Sequence, residues 1–378
     1  MNICIVAGAR PNFIKVAPIV RAIIRAKNEG KNIDYQLVYA GRKDDPTLEP
    51  TLFSDLQMPA PDIYLGVDCV NLNELTGRVM SEFEHYLQEN ETDVVIVVDD
   101  LASTMAAAIV TKKQGIRLAH LVAGTRSFDI KMPKEINRLV IDGLSDLLFT
   151  AGMGSNSIVS REGAELSQVY MVGNILMDTL RFNHTRLVRP AVVDKLQLKE
   201  GNYIVFTLNR KALIADRENL SSMLHAAIKA AQGTPIVAPL RGNAREAVLA
   251  MTDEECKAEN GTNPDTSLNS LLIIDPLNYL EFGWLTAHAK GIITDSGNVA
   301  EEATFNGVPC ITLNSYTEHI ETVKTGSNVL VGEDADRLAA AVTDMVGGQW
   351  KKCGLPDRWD GRSAERIVQI LIDTNRNI

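Results

Sequence analysis

Short runs of β-branched and aliphatic residues recur along this chain, separated by helical patterns, and most of the runs are continuous rather than alternating. A strand with one solvent face alternates apolar and polar residues; a strand covered on both faces does not. The runs at 3–7, 35–39, 94–98, 118–122, 147–150 and 169–172, and again at 203–208, 236–238, 271–275, 291–294, 309–313 and 329–331, therefore predict strands buried in parallel sheets. Between them, 14–27, 103–113, 218–231 and 335–345 carry helical periodicity. Strand–helix alternation of this kind builds right-handed βαβ units and doubly wound sheets. Two sets of about six strands in 378 residues predict two similar α/β domains, 1–173 and 174–360. A last helical pattern, about 361–378, carries Ala364, Ile367, Val368 and Leu371 on one face and is expected to cross back and complete the first domain.

A net charge of −10 speaks against a general nucleic-acid binder. It leaves room for a nucleotide, because a few cations in a cleft can hold a diphosphate on an acidic protein. The five cysteines, Cys4, Cys69, Cys256, Cys310 and Cys353, are scattered and form no Cys-x-x-Cys pair, so neither a disulfide framework nor a zinc site is expected. The N-terminus lacks the features of a signal peptide, and no apolar run is long enough to span a bilayer. A cytoplasmic protein without membrane contact is the expectation.

Ligands of open α/β sheets bind at the carboxyl ends of the strands, so the residues just after each strand are informative. Gly8-Ala9-Arg10-Pro11-Asn12, followed by Lys15, offers helix-start amides and cations for an anion, or a tight turn with solvated charges. It is not the glycine fingerprint of dinucleotide sites. Thr294-Asp295-Ser296-Gly297-Asn298 ends a strand and opens a helix, where Asp295 or Ser296 can cap and free amides suit phosphate. Glu301 and Glu302 follow, as ribose acceptors or solvated acids. Asp99 and Asp100 can do acid–base work, bind metal or cap the next helix, with metal the weakest of these. Asn209-Arg210-Lys211, Arg241 and Arg245 are candidate anion contacts or plain basic surface, the latter favoured for Arg245. Glu135 and Arg138, three apart, can pair on a helix surface. Of the histidines, His120 lies in a strand run as a core residue, and His319 alone stands in a loop placed for a site.

Together these motifs resemble the non-hydrolysing UDP-N-acetylglucosamine 2-epimerases over nearly the whole chain. The resemblance is carried by Gly8-Ala9-Arg10-Pro11 with Lys15, Asp93-Val94-Val95 leading to Asp100, Ala123-Gly124-Thr125-Arg126 and Glu135-Ile136-Asn137-Arg138. It continues in Val172-Gly173-Asn174, Asp275-Pro276 with Tyr279, Thr294-Asp295-Ser296-Gly297, Glu301-Glu302 and Thr317-Glu318. It implies two Rossmann-like domains of the GT-B type facing a central cleft, often as a homodimer, with UDP held mainly by the second. Arg10, Lys15, Asn209, Arg210, Asp275, Ser296, Gly297, Glu302 and His319 are the implied UDP-sugar contacts, Ser296 and Gly297 at phosphate and Glu302 at ribose. The family inverts C2 of the sugar by eliminating UDP and adding it back, with no redox cofactor and no metal, in supplying cell-surface polysaccharide precursors.

The chain departs from the family where protons move. The family's His-Gly-Asp is Val98-Asp99-Asp100, its Val-Glu-Ala-Gly is Leu121-Val122-Ala123-Gly124, and its Pro-Glu-Glu is Pro133-Lys134-Glu135. Its Gly-His-Arg is Leu208-Asn209-Arg210, its Glu-Arg-Pro-Glu is Glu318-His319-Ile320-Glu321, and its Gln-His-Arg is Gly41-Arg42-Lys43. Asp100, Lys134 and Arg138 are left as the expected catalytic set, Lys134 as a base if burial or Arg138 lowers its pKa. Three functions fit: an epimerase with altered chemistry, a transferase or hydrolase on the same scaffold, or a UDP-sugar binder that has lost catalysis.

Overall fold

Burial on both faces decides the strands. In the computed structural model, which describes residues 1–48, 50–258 and 268–375, every residue of Val94–Val98 is buried, as are five of six in Asn2–Ala7. The first sheet contains β1 (Asn2–Ala7), β2 (Asp34–Tyr39), β3 (Ile63–Tyr64), β4 (Val94–Val98), β5 (Arg117–Ala123), β6 (Leu147–Thr150) and β7 (Val169–Met171), in the order β3-β2-β1-β4-β5-β6-β7. The second contains β8 (Ile204–Phe206), β9 (Ile236–Pro239), β10 (Leu271–Ile274), β11 (Gly291–Thr294), β12 (Cys310–Thr312) and β13 (Asn328–Leu330), in the order β10-β9-β8-β11-β12-β13. All pairings in both are parallel.

Strand order reverses between β1 and β4 and again between β8 and β11. Loops diverge to opposite faces at such a reversal and leave a crevice for ligand. The segments after these four strands are therefore where each unit can hold one. The first sheet has one strand more than expected. β3 is two residues long, too short to leave a periodic signal. The helix after β1 begins at Arg10 rather than at 14, because Pro11 fits the first turn, where its missing N–H costs nothing.

The chain forms two units, Met1–Asn183 with Asp357–Ile378, and His184–Pro356. The change-over comes one helix later than Gly173. Helix Ile175–Asn183 stays with the first unit because Thr179 Oγ1 donates to the Ile14 carbonyl at 2.6 Å and Asp178 caps the C-terminal helix. The amides of Ser363 and Ala364 donate to the two Asp178 carboxylate oxygens at 3.0 and 2.8 Å. Helix Ser363–Asn375 buries Ala364, Ile367, Val368 and Leu371 in this unit. At Gly173, with φ +97°, a Cβ would lie 2.0 Å from the Arg358 carbonyl oxygen, so only glycine lets the returning segment pass. No described helix is long and apolar enough to cross a membrane.

Candidate functional site

At the β1/β4 reversal the structure corrects the expected anion cradle. The Gly8 and Ala9 amides are already taken: both donate to the side-chain oxygen of Asn12, at 2.8 and 3.2 Å. Asn12 Nδ2 in turn donates to Asp99 Oδ2 at 2.8 Å, and Lys15 Nζ pairs with Asp99 Oδ1 at 2.6 Å. Asn12 and Lys15 are buried, and Arg10 opens the same helix. Asp99 sits at φ +60°, a left-handed conformation that Asp tolerates better than most residues.

Asp99 and Asp100 are neighbours with different partners. Arg138 donates to Asp100 Oδ2 through Nε and Nη2, at 2.8 and 2.6 Å, and Lys134 Nζ lies 3.3 Å from Oδ1. Burial alone would raise the Asp100 carboxyl, but Lys134 and Arg138 outweigh it and hold it below the usual carboxylate range. Glu135 and Arg138 do pair, at 3.1 Å, but not on a surface: they are only 3% and 2% exposed. Glu135 also accepts from the Ser127 and Phe128 amides, both at 2.9 Å, which pins the loop after β5. The structure thus brings Asp100, Lys134 and Arg138 together. Lys134, however, has a side chain 58% exposed, so of the two conditions set for its role as a base, burial or the nearby Arg138, burial is absent.

Behind this site lies a buried polar network that no spacing announces. His120 Nδ1 is 2.6 Å from Asp142 Oδ1, and its Nε2 donates to the Asp99 carbonyl at 2.9 Å. Asp142 also accepts from Gly124 N, at 3.1 Å, and pairs with Arg126, at 2.7 Å; Arg126 reaches on to Glu162. Burial pushes Asp142 upward, and His120 with Arg126 overcomes that and keeps it ionised. The core position expected for His120 is correct, but it is a polar one.

Beside it, β5 shifts register against β6 between Leu121 and Ala123, and Val122 stands at φ +71°. A β-branched residue there is strained by about 1–2 kcal/mol. Val122→Gly is expected to raise the unfolding free energy by about 1 kcal/mol, the relieved strain exceeding the entropy that glycine adds to the unfolded chain. Urea unfolding of the variant checks this; a loss of stability would mean that the valine's packing matters more. At Gly124, φ +74°, a Cβ would meet the Ser155 carbonyl oxygen at 2.4 Å, which fixes glycine in the same turn.

At the β8/β11 reversal, Asp295 does not cap the following helix as its position suggests. Its Oδ2 accepts from the Asn209 and Arg210 amides, at 2.7 and 2.6 Å, and so ties the two strand ends together. Its Oδ1 is buried and makes no hydrogen bond among the described residues. Ser296 occupies the N-cap of helix Gly297–Asn306, but its side chain makes no capping bond. The first-turn amides are left to water or an anion, with the helix dipole behind them. Glu302 is buried one turn in, pushed up to about 8 by burial and then by the neighbouring Glu301. His319, also buried, has Nε2 3.6 Å from Glu301 Oε1.

Arg210 Nη1 donates to Asn314 Oδ1 at 2.5 Å, and its guanidinium pairs with Glu333, two partners that sequence reading does not suggest. The Asn209 side chain is exposed. Asp275 is not part of this group. It follows β10, beyond β9, and its exposed side chain pairs with Arg245 at 3.2 Å. Arg245 is correspondingly no free basic surface; it also donates to the Ile274 carbonyl at 2.8 Å.

Comparison with known proteins gives the family and the fold. Residues 25–372 match the family described as UDP-N-acetylglucosamine 2-epimerase. The chain is 33% identical to the UDP-N-acetylglucosamine 2-epimerase of Methanocaldococcus jannaschii, over 98% of its own length and 99% of the relative's. It is 31% identical to the UDP-2,3-diacetamido-2,3-dideoxy-D-glucuronate 2-epimerase of Pseudomonas aeruginosa, over 98% and 99%. The crystal structure of the Methanocaldococcus jannaschii UDP-GlcNAc 2-epimerase in complex with UDP-GlcNAc and UDP matches at a TM-score of 0.81 and 32% identity, covering 98% of this chain and 99% of that one. Two parallel-sheet, Rossmann-like units and a family match over most of its length place this chain in the UDP-N-acetylglucosamine 2-epimerase family.

Proposed function

We propose that this chain binds a UDP-sugar, with the nucleotide on its C-terminal unit, and that the C2 chemistry of its family is altered or lost in it. The observation that carries the binding half is the uncapped N-terminus of helix Gly297–Asn306, with buried Glu302 one turn in. Diphosphate suits the amides and the dipole; ribose hydroxyls suit the carboxyl. Relatives above 30% identity are named for UDP-sugars. Arg10, Lys15, Asn209, Arg210, Ser296, Gly297, Glu302 and His319 remain the proposed contacts, Asp275 a peripheral one. A cytoplasmic homodimer supplying polysaccharide precursors belongs to the same reading and rests on the resemblance alone.

The chemical half follows from the residues at the proton-transfer positions. Valine at 122 cannot move a proton at any pH, and asparagine at 209 has no cationic form. Loss of one general acid or base costs about 10²–10⁴ in rate. Asp100 is ionised, but two cations lie on it and oppose its taking a proton. Asp100, Lys134 and Arg138 are the groups from which residual proton transfer would come.

Proton NMR of UDP-N-acetylglucosamine with the protein in D₂O tests both halves. Broadening of the uridine signals without deuterium entering C2 is the expected result. Rapid exchange at C2 would show a working base and sink the claim of altered chemistry. Release of free UDP would favour a transferase or hydrolase, and absence of broadening with UDP itself would remove the nucleotide site.

A further inference from the structure

We infer that a groove along β7, the outer strand of the first sheet, is a binding site for a small amphiphilic anion, with a carboxylate head on Arg358 and a short apolar tail on Val169, Met171 and Ile370. The groove lies three strands beyond β4, apart from the β1/β4 reversal, and is lined by residues of the N-terminal unit alone.

Its volume of about 640 Å³ falls within the range of small-molecule sites, about 300–1,000 Å³. Val169 and Met171 stand two apart on β7 and so share one face of the strand. Both are half-buried, as is Ile370 of helix Ser363–Asn375, and all three line the groove. An apolar tail laid on them would remove this surface from water.

Arg358 is the cation of this groove without a countercharge. Its exposed guanidinium donates from Nη1 to the Met171 carbonyl and makes no ion pair among the described residues. The other charges of the lining are engaged. Arg366 pairs with Asp360 at 2.5 Å and donates to the Val172 carbonyl at 2.9 Å, and Glu365 lies 3.5 Å from Arg25. An incoming carboxylate meets the remaining donors of a planar guanidinium, whose fork suits it.

The Arg358 backbone is set in advance. It stands at φ +58°, and its carbonyl packs against Gly173, where a Cβ would lie 2.0 Å away. The next residue, Trp359, is 1% exposed and donates from Nε1 to the Ala151 carbonyl at 3.2 Å. A left-handed non-glycine residue held by its surroundings in this way is a feature of ligand clamps. A strand-adding peptide fits this edge less well, because the guanidinium already covers the Met171 carbonyl, an acceptor that an added strand would need.

Calorimetric titration of the full chain with octanoate, 1-octanol and acetate tests this, with the methyl NMR signals of Val169, Met171 and Ile370 followed in parallel. Octanoate is expected to bind at roughly millimolar concentration or tighter and to shift those signals. Octanol, without the charge, and acetate, without the tail, should each bind at least about tenfold more weakly. Arg358→Gln should lower octanoate affinity about tenfold and leave octanol unchanged. Ile370→Gln should weaken octanoate and octanol alike, and serves if the first variant does not fold by circular dichroism.

Equal affinity for octanoate and octanol in wild type, or undiminished octanoate affinity in R358Q, overturns the anion site. Equal affinity for octanoate and acetate, or undiminished octanoate affinity in I370Q, overturns the apolar half. Octanoate shifts that fall elsewhere in the chain, or none at all, remove the groove as a site.

Discussion

Arg138→Met is expected to lower the unfolding free energy of the N-terminal unit by about 3–5 kcal/mol. Arg138 is 2% exposed, and its guanidinium serves two carboxylates, Asp100 through Nε and Nη2 and Glu135 through Nη1. Methionine fills much of the same volume but leaves both acids without their cation. Breaking a buried pair from one side is costly because the remaining charge stays desolvated, and here there are two. Lys134, exposed and 3.3 Å from Asp100, offers partial relief to one of them; Glu135 keeps, among the described residues, the donors of Ser127 and Phe128. The loss should therefore be read at Glu135 first, as a loosened loop after β5. Urea unfolding followed by circular dichroism measures it. Neutralising the acids in the same protein, as Asp100→Asn/Glu135→Gln/Arg138→Met, should recover a good part of the loss. If the triple variant is no better than the single one, the damage is steric and the charge argument fails.

That cluster also shows how far a sequence can be read. The two sheets were legible because strands buried on both faces leave continuous apolar runs, and Val94–Val98 is the plainest case. The position of Asp100, Arg138, Ser296 and Glu302 at strand ends and helix starts followed from the same runs. Partnership was not legible. Glu135 and Arg138 have the spacing of a surface pair, yet the helix they share buries that face. Asp99 and Asp100 read as a doublet, whereas adjacent residues on a turning backbone point to different partners.

The network of His120, Asp142, Arg126 and Glu162 depends on sheet register, which brings β5 beside the helix Pro133–Leu144 from residues tens of positions apart. Asp295 had the position of a helix cap and instead accepts from the end of another strand, a choice made by tertiary geometry. The change-over at Asn183 likewise depends on Asp178 meeting the start of the last helix, a contact across 185 and 186 positions.

Glu302→Gln is expected to remove a pH dependence of stability that wild type carries between about pH 4.5 and 8. The Glu302 carboxyl is buried, and its pKa in the fold is pushed up from 4.5 to about 8, by burial first and by Glu301 second. In the unfolded chain the proton leaves near the ordinary value; in the fold it stays until much higher pH. Across that window the folded state binds the extra proton, so stability falls as pH rises. It is fully present below about pH 4.5 and gone above about 8. At roughly 1.4 kcal/mol per pH unit, the loss has an upper bound of about 5 kcal/mol.

Glutamine has the same shape and no proton to lose. The variant should match wild type near pH 4.5 and exceed it at pH 8, with a higher melting temperature there. Melting curves of both proteins across this range decide it. Parallel curves would mean that Glu302 is ionised in the fold at neutral pH, with a counter-charge or water around it. The comparison has a functional side as well: a carboxyl that is neutral at pH 7 can donate a hydrogen bond as well as accept one. Glutamine also does both, so if ribose is held that way, UDP affinity should survive the substitution at pH 7 even as stability at pH 8 improves. A large loss of UDP affinity at pH 7 would instead require the charged carboxylate, and with it a lower pKa in the complex than in the free protein.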